Sequence, residues 1–346
     1  MKDVRVLDLT RLLPGPFATL CLQGLGATVV KVEDPSGGDY LRHFPPQLGE
    51  SGAWFAALNR GKRSVALDLK DPLGRDALLA LIEHVDVLVE SFRPGVLARL
   101  GLDPRELRRR WPRLIVASLT GWGQTGPWAN LPGHDIGFCA IAGLYGDGVP
   151  APMRIQWGDM AAGGLCAATR ICGALYDRER TGDGAWLDIA MLDGLVGVQQ
   201  TQFAQLAAHA APDVLLTGGA PTYGAYCCAD GGWVSVGALE PQFLAVLREA
   251  TEDMSVEGLA RLFASAPRDT WVERLGGACV VPVLRPEEVA RHPQVVARDL
   301  FDGGLAHPPT GRVSGEVPRL GEHTAAELAH AGYVGPWSSR SSSSPP

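Results

Sequence analysis

The chain has 346 residues and is 46% hydrophobic, so it can bury at least one large core and has the length of two domains. Its 31 basic and 38 acidic residues give a net charge of −7, which argues against a nucleic-acid-binding protein, since such proteins normally carry a basic excess. The seven cysteines have no CxxC spacing, which argues against a disulfide framework or a zinc site, and we expect no bound metal.

The sequence also bears on where the protein works. No apolar run reaches the 18 or more residues that a transmembrane helix needs, and the N-terminal segment MKDVRVLDLTRLL lacks the form of a signal peptide. An odd, unpatterned set of cysteines is typical of reduced thiols. We therefore expect a cytoplasmic protein with no membrane or nucleic-acid partner.

Short apolar runs alternate with helical stretches through the first 120 residues. Val4–Leu9 and Thr28–Val32 have strand length, and Phe17–Leu25 between them is typical of a short helix. The alternation continues with strands at Ser64–Leu69, Val85–Val89 and Leu114–Leu119 and helices at Pro72–His84 and Pro104–Arg110. Because βαβ units build parallel sheets, this region predicts an α/β protein with a doubly wound, nucleotide-binding fold.

Ligands of such sheets lie where the strands end, so charged residues near strand ends are candidate binding residues. Arg60, Lys62 and Arg63 lie in the segment NRGKR ahead of the third strand, and Arg93 follows the fourth. These cations would suit a phosphate-rich ligand. Each of them can equally be an ordinary solvated charge at the mouth of a loop.

One glycine-rich segment fits a dinucleotide-binding pattern. Gly121–Gly126 has the sequence GWGQTG and follows a predicted strand. Pro127 and Pro132 prevent a helix from starting there, so no helix N-terminus points at a pyrophosphate. We therefore interpret the segment as a glycine loop.

The stretch Gly133–Gly164 holds two groups that can transfer protons near neutral pH, His134 and Asp159, each directly after a glycine. A run of small residues predicts a helix over Ala161–Arg178, which makes Asp159 a natural N-cap and lets the helix amides stabilise an enolate or oxyanion. The stretch therefore predicts an active site. The local alternative is that His134 ends a loop and Asp159 only caps a helix.

The sequence becomes rich in glycine near residue 215. The predicted elements there and just before are a strand at Ala185–Ala190, a helix at Leu192–Ala210, a hairpin of Tyr223–Cys228 and Trp233–Gly237, and a strand at Ala278–Leu284. We expect a second, smaller α+β domain over 215–300 and a disordered serine-rich tail over 336–346.

Six segments together resemble one family over roughly residues 4–330. They are VRVLDLTRLLPGP, LGATVVKVE, NRGKRSVALDLK, DVLVESFRPGVLARLGL, ASLTGWGQTGP and LGEHTAAEL, and they are similar to the class III CoA-transferase superfamily. The resemblance implies an acyl-CoA thioester as substrate, with coenzyme A as part of that substrate and no prosthetic group. It also implies a Rossmann-like, CoA-binding large domain over 1–214, to which the chain returns over 301–335, a small domain, and an interlocked homodimer.

Strand ends and resemblance together predict a set of CoA-binding residues. The set is Arg60, Lys62, Arg63, Leu67, Asp68, Leu69, Lys70, Ser91, Phe92, Arg93, Arg99, Thr120, Gly121, Trp122 and Gly123. One departure is Asp34, which stands where many relatives carry a basic residue near the nucleotide.

Three further segments resemble the acyl-CoA racemases of that superfamily. GHDIGFCAIAG and RIQWGDMAAGG match the segments of the catalytic histidine and aspartate, and GGAPTYGAYCCADGGWVSVGALEPQF matches a small-domain segment whose glutamate pairs with the histidine. The resemblance thus implies an isomerase with catalytic His134, Asp159 and Glu240 that moves the α-proton of 2-methylacyl-CoA, with Asp159 partly protonated. From local sequence alone, Glu240 is a helix-start residue before Pro241.

Two alternatives stay open. In the transferases of the superfamily, the residue matching Asp159 is a nucleophile that forms an aspartyl-CoA thioester, so the chain can be read as a CoA-transferase. A non-catalytic acyl-CoA-binding protein is the third reading. Asp135 is a further candidate for catalysis, but a carboxylate in a turn more often orients the loop backbone.

Overall fold

The computed structural model describes residues 1–146, 152–209 and 215–338. The chain forms two compact units. The first comprises Met1–Gln199 and the chain from Asp302 onward, and the second comprises Gln200–Phe301.

The first unit contains a six-stranded, fully parallel sheet. The strands of this part of the chain are β1 (Arg5–Asp8), β2 (Thr28–Glu33), the two-residue β3 (Gln47–Leu48) and β4 (Ser51–Gly52), β5 (Arg63–Ala66), β6 (Val87–Glu90), β7 (Ile115–Thr120) and β8 (Trp186–Ala190). β3 and β4 form a separate short hairpin. The parallel α/β sheet predicted from the sequence is confirmed. The prediction was possible because β-branched runs of strand length mark buried strands.

The order of the strands fixes where a ligand can bind. Across the sheet the order is β5-β2-β1-β6-β7-β8, so the six strands, numbered by their succession in the chain, read 3-2-1-4-5-6. This is the order of dinucleotide-binding folds, and the winding reverses between β1 and β6. At such a switch point the loops leave in opposite directions and open a crevice at the carboxyl ends of the strands.

Helices cover both faces of the sheet. Those of the first unit before residue 200 are α1 (Pro14–Gly24), α2 (Ala53–Asn59), α3 (Pro72–Ile82), α4 (Val96–Arg99), α5 (Pro104–Arg110), α6 (Asp135–Ile141), a π-helix (Trp157–Leu165), α7 (Cys166–Thr181) and α8 (Met191–Gly197). Alternate side chains of each strand serve opposite cores: Val87 and Val89 pack with α1 and α7, whereas Leu88 packs with α3.

Caps explain why two of these helices begin where the sequence predicts. Asp71 accepts a hydrogen bond from the Leu73 amide at 3.0 Å, and Asp103 accepts one from the Arg105 amide at 2.8 Å. In both cases a proline follows the cap and fills the first helical position, where its missing N–H costs nothing.

One predicted helix is divided. The sequence predicted a single helix over Leu192–Ala210, but α8 ends at Gly197 and α9 (Gln200–Ala207) begins after a break. The break follows two glycines, Gly194 and Gly197, which weaken a helix relative to alanine. Residue 210 lies outside the described residues.

The second unit has its own antiparallel sheet, β9 (Tyr223–Cys227), β10 (Trp233–Gly237) and β11 (Val280–Val283), in the order β11-β10-β9. The predicted hairpin is confirmed, and Asp230 shapes its turn by accepting the Gly232 amide at 3.0 Å. The remaining helices of this unit are α10 (Pro241–Ala250), α11 (Val256–Phe263), α12 (Arg268–Leu275), α13 (Pro286–Val289) and α14 (Pro293–Ala297).

The chain from Asp302 returns to the first unit. The short strands β12 (Phe301–Asp302) and β13 (Leu305–Ala306) lie at the start of this segment. The segment also carries α15 (Thr324–His330), whose buried Glu327 pairs with Arg5 at 2.7 Å. The predicted tail begins too early, because Pro336–Ser338 forms a 3-10 turn and Trp337 is 3% exposed in the core beside α3. Residues 339–346 lie outside the described residues.

Among the helices of the described ranges, none combines the length and the hydrophobicity needed to cross a lipid bilayer.

Candidate active site

Two adjoining cavities open at the carboxyl edge of the sheet, beside the switch point. The larger, of about 320 Å³, is lined by both His134 and Asp159, and we call it the His134 cavity. The smaller, of about 170 Å³, is called the Lys70 cavity. Arg11 and Phe92 line both, so the two cavities meet at these side chains.

Most of the sequence-predicted site residues line one of the two cavities. The His134 cavity includes Ser91, Phe92, Arg93, Thr120, Gly121 and Trp122 together with the two candidate catalytic groups. The Lys70 cavity includes Leu67, Asp68, Leu69, Lys70 and Phe92. The structure therefore brings the ends of β5, β6 and β7 to one continuous surface, as a switch point requires.

His134 is positioned by the packing of an aromatic ring. It is the exposed N-cap of α6, in extended conformation, and its carbonyl accepts the Gly137 amide at 2.8 Å. Four residues on, Phe138 is buried where β-carbons at Gly121 and Gly133 would otherwise lie. The glycine loop after β7 and the glycine before His134 are thus what allow the ring to fix this end of α6.

Asp159 lies inside a helix instead of capping one. The helix begins at Trp157, with Gln156 as its N-cap, so the predicted N-cap role of Asp159 is wrong. The small residues of this helix permit close packing: a β-carbon at Gly164 would lie 2.9 Å from the carbonyl oxygen of Pro14 in α1. The first nine residues form a π-helix, a form that frequently occurs at functional sites.

Asp135 supplies the cap that Asp159 does not. Its Oδ1 accepts a hydrogen bond from the Asp159 amide at 3.0 Å, which confirms that Asp135 orients the backbone. The Met160 amide is also engaged, with the Gln156 carbonyl at 2.8 Å. These two amides are therefore already engaged in this structure, and the predicted role of the helix amides in holding an enolate stays a prediction.

The Asp159 carboxylate has an unusual environment. Burial raises its pKa to about 7, and the negative charge of Asp135 adds to the effect. Among the described residues, none donates a hydrogen bond that would stabilise the ionised carboxylate of Asp159. A carboxyl group in this state exists in both protonation forms at neutral pH, as proton transfer in two directions requires.

Lys62 is a structural residue. Its side chain is fully buried and its ammonium donates to Thr19 Oγ1 at 2.8 Å and to Asn59 Oδ1 at 2.9 Å, and it lies 3.3 Å from Asp8 Oδ2. An ammonium with these partners is not free to bind a phosphate. The phosphate-binding role predicted for Lys62 is therefore wrong. The reason is its pairing with Asp8, which lies 54 positions away in the chain, so the local sequence did not reveal it.

The neighbouring cations are committed in a similar way. Arg60 is buried and donates to the backbone carbonyls of Val313 and Ala306, and Arg63 pairs with Glu327. Both contacts hold the returning C-terminal segment. The predicted role of the buried Arg60 in CoA binding is therefore wrong, whereas the role of Arg63, whose side chain is 37% exposed, stays a prediction. Arg99 is exposed at the end of α4.

Gly123 and Thr120 shape the loop after β7. The Gly123 amide donates to Thr120 Oγ1 at 3.0 Å, and Gly123 has a φ of 89°, which favours glycine. In agreement with the sequence analysis, the loop leads to no helix before Asp135 within the described residues 1–146.

Sequence reasoning missed Arg11, although it lies where both cavities meet. The signal was available, because Arg11 follows β1 and residues that follow parallel strands lie at the ligand edge. Asp34, the departure noted in the sequence, lines the Lys70 cavity and accepts a hydrogen bond from Ser36 Oγ at 2.6 Å. Hydrogen bonds from Ser36 lower the Asp34 pKa, with smaller contributions from Arg11 and Lys70.

Glu240 belongs to the second unit. It is the N-cap residue of α10, and its carbonyl accepts the amides of Phe243 and Leu244 at 3.0 Å. The local reading of Glu240 as a helix-start residue is confirmed. Its predicted pairing with His134 stays a prediction.

No cluster of three or more histidine, cysteine or carboxylate side chains suited to a metal ion occurs within the described ranges. The His134 cavity is lined by one histidine and one carboxyl group, His134 and Asp159. A histidine and a half-protonated carboxyl group in one cavity can act as an acid–base pair.

The fold and the site define an α/β protein with an acid–base site at the switch point of a parallel sheet. The model of CoA-transferase family III matches residues 1–327, and the chain belongs to this family.

Both activities of the family occur among similar proteins. The chain is 35% identical to an alpha-methylacyl-CoA racemase of Homo sapiens, over 96% of this chain and 94% of the relative. It is 34% identical to an acetyl-CoA:oxalate CoA-transferase of Acetobacter aceti, over 88% and 86%. A crystal structure of a CAIB/BAIF family protein from Brucella suis superimposes with a TM-score of 0.83 and 28% identity, over 95% of this chain and 98% of that one.

Proposed function

We propose that the protein is an acyl-CoA racemase that interconverts the stereoisomers of 2-methylacyl-CoA by moving the proton on the α-carbon. The observation that carries the proposal is that His134 and Asp159 line one cavity, with the pKa of Asp159 raised to about 7. Racemisation needs one acid–base group on each face of a planar enolate. Each group must accept the proton in one direction and donate it in the other, which a half-protonated carboxyl group can do.

In this proposal the two cavities bind the two ends of the substrate. The thioester lies in the His134 cavity, and the CoA portion crosses Arg11 and Phe92 toward the Lys70 cavity. Arg11, Arg93 and Lys70 offer cations to its phosphates. Coenzyme A is thus part of the substrate, and the proposed chemistry needs no prosthetic group.

The remaining roles rest on the family resemblance. His134 serves one face of the enolate and Asp159 the other, and Glu240 pairs with His134. The division into a CoA-binding large domain and a small domain, and an interlocked homodimer, belong to the same proposal.

A CoA-transferase is the second candidate, and the 34% identity to an acetyl-CoA:oxalate CoA-transferase favours it. In that chemistry an Asp159 oxygen attacks the thioester carbonyl and expels the CoA thiolate, which leaves a mixed anhydride. The thiolate then attacks the aspartyl carbonyl and releases the free acid, which leaves an aspartyl-CoA thioester. A nucleophile of this kind must be ionised, whereas burial and Asp135 favour the protonated form of Asp159.

The His134→Ala variant separates the two candidates. Racemisation of a single enantiomer of 2-methylacyl-CoA should fall by a factor of about 10² or more, because one face loses its acid–base group. CoA transfer to oxalate or succinate, measured in parallel, should be absent from both proteins. Efficient transfer by the wild type that survives His134→Ala would instead support the transferase, and Asp159→Asn should abolish either activity.

A further inference from the structure

Asp135 is a charged side chain in direct contact with the backbone of Asp159, and the proposed reaction leaves it unused. Its Oδ1 accepts the Asp159 amide at 3.0 Å, and its Oδ2 lies 3.7 Å from the Cys139 thiol. The approach is close, since a β-carbon at Gly158 would lie 2.9 Å from Asp135 Oδ1. Glycine before Asp159 is what admits this carboxylate.

We propose that Asp135 is a positioning residue: its carboxylate fixes the Asp159 backbone and places a negative charge beside the Asp159 carboxyl group. This inference rests on the proposed function. Asp135 does not exchange protons with the substrate. It acts through Asp159. Because Asp135 directly follows His134 in the chain, its bond to the Asp159 amide also links the backbone positions of the two reacting groups.

The position of Asp135 decides both effects. A carboxylate at the first residue of α6 bonds to the first turn of the π-helix, so the two elements that carry His134 and Asp159 are joined by one hydrogen bond. Like charges at short range favour the neutral form of one partner. Burial of Asp159 is the larger cause of its raised pKa, and the Asp135 charge adds to that effect.

Several charged and titratable groups lie on the elements around the π-helix. Among those in the described ranges, Asp135 is the one whose side chain bonds directly to Asp159. The elements packed against this helix are α1, α6, α7, α8 and β8. Besides Asp135, their titratable and charged residues, with those of the cavity, are Cys21, Cys139, Cys166, Arg170, Cys172, Tyr176, Asp177, Arg178, Glu179, Arg180, Asp188, Asp193, His134, Arg11 and Arg93. Of the carboxylates in this set, Asp193 on α8 is exposed and gives a matched control with the same charge.

The test uses Asp135→Asn, which keeps an oxygen that can accept the Asp159 amide but removes the charge. The pH dependence of Asp159 labelling by a water-soluble carbodiimide with glycine ethyl ester is measured on the full-length protein by peptide mass mapping. The exposed Asp3 in the same digest normalises the intrinsic pH dependence of the reagent. The midpoint for Asp159 should move to lower pH by about one unit in Asp135→Asn and should stay unchanged in Asp193→Asn.

A second readout follows the reaction. The midpoint of the pH–rate profile that reports Asp159 should also move to lower pH in Asp135→Asn, while KM for the acyl-CoA changes little. Asp135→Ala should also lower kcat, because the backbone bond is lost. An Asp159 midpoint that is the same in Asp135→Asn and wild type would overturn the inference. Failure of the racemase proposal alone would leave the labelling shift intact and show as absent racemisation in the wild type.

Discussion

At the scale of single residues, the aromatic ring of Phe138 determines where His134 lies. The ring is buried between two glycines, and a β-carbon at Gly133 would lie 2.5 Å from its Cε1 atom. It also packs edge-on against Trp122, with ring centroids 4.7 Å apart. A side chain at Gly133 would therefore displace this ring and press on Trp122, whose Cζ2 atom would lie 3.1 Å from the added β-carbon.

We predict that Gly133→Ala displaces Phe138 and lowers kcat at least tenfold, with a loss of about 1–3 kcal/mol in the free energy of unfolding from overpacking. Both quantities are measurable, by racemisation of one enantiomer and by urea denaturation. Gly137→Ala on the same helix is the control, because a β-carbon there meets no atom within 4 Å. That variant should be as stable as the wild type or slightly more so. Equal effects of the two substitutions would contradict this account.

At the scale of elements, the turn between β1 and α1 is held by a buried ion pair. Lys31 donates to the Thr10 carbonyl at 2.8 Å and lies 3.1 Å from Asp39 Oδ2, and Asp39 Oδ1 accepts the Leu12 amide at 3.3 Å. Leu12 has a φ of 64°, a strained conformation for a leucine. The pair thus stabilises the turn that presents Arg11 to both cavities.

We predict that Lys31→Met destabilises the protein by about 3–5 kcal/mol, since it leaves the buried carboxylate of Asp39 without its ion-pair partner. Surviving protein should show a raised KM for acyl-CoA, because the turn of Arg11 loses its support. Urea unfolding and initial-rate kinetics measure the two effects. Arg109→Met, which breaks an exposed pair with Glu106, should change stability by no more than about 1 kcal/mol. A comparable loss in both variants would count against a special role for the buried pair.

At the scale of the whole molecule, folding stability should depend on pH through Glu90 at the end of β6. Burial raises the pKa of Glu90 to about 7, although Ser118 and the Phe92 amide favour its ionised form. The folded protein therefore keeps a proton that the unfolded chain releases near pH 4.5. The contribution of Glu90 to the free energy of unfolding is therefore fully present below pH 4.5. It is lost as the pH rises toward 7, and the loss is roughly 3 kcal/mol.

Glu90→Gln removes this titration and keeps an oxygen that can accept the Phe92 amide, which bonds to Glu90 at 2.8 Å. Between pH 4 and 8, the variant should gain roughly 3 kcal/mol of unfolding free energy relative to the wild type. Urea denaturation at several pH values measures the difference. Parallel pH profiles for the two proteins would show that Glu90 is ionised in the folded state.

Much of this architecture is predictable from the sequence. Runs such as TVVKV and LIVASL predict buried strands, and prolines after Asp71 and Asp103 mark helix starts that the structure confirms. These signals are local, so they survive without knowledge of the tertiary fold. The same holds for the cavity position, since the residues after parallel strands meet at one edge.

Partners distant in sequence account for the errors. The pairing of Lys62 with Asp8 spans 54 positions, and a basic segment gives no sign of which cations fold inward. The start predicted for the Asp159 helix is too late, because a run of alanines and glycines specifies no helix period or end. The bond from Asp135 to the Asp159 amide likewise exists only once α6 and the π-helix are packed together.

The most direct test of the central claim is hydrogen exchange at the α-carbon. The wild-type protein is incubated with one enantiomer of 2-methylacyl-CoA in deuterated buffer, and deuterium content and optical purity are followed by mass spectrometry and chiral separation. We predict one deuterium per molecule at the α-carbon together with loss of optical purity. Retention of both the hydrogen and the configuration, with CoA bound covalently to Asp159, would contradict the racemase account and identify a transferase.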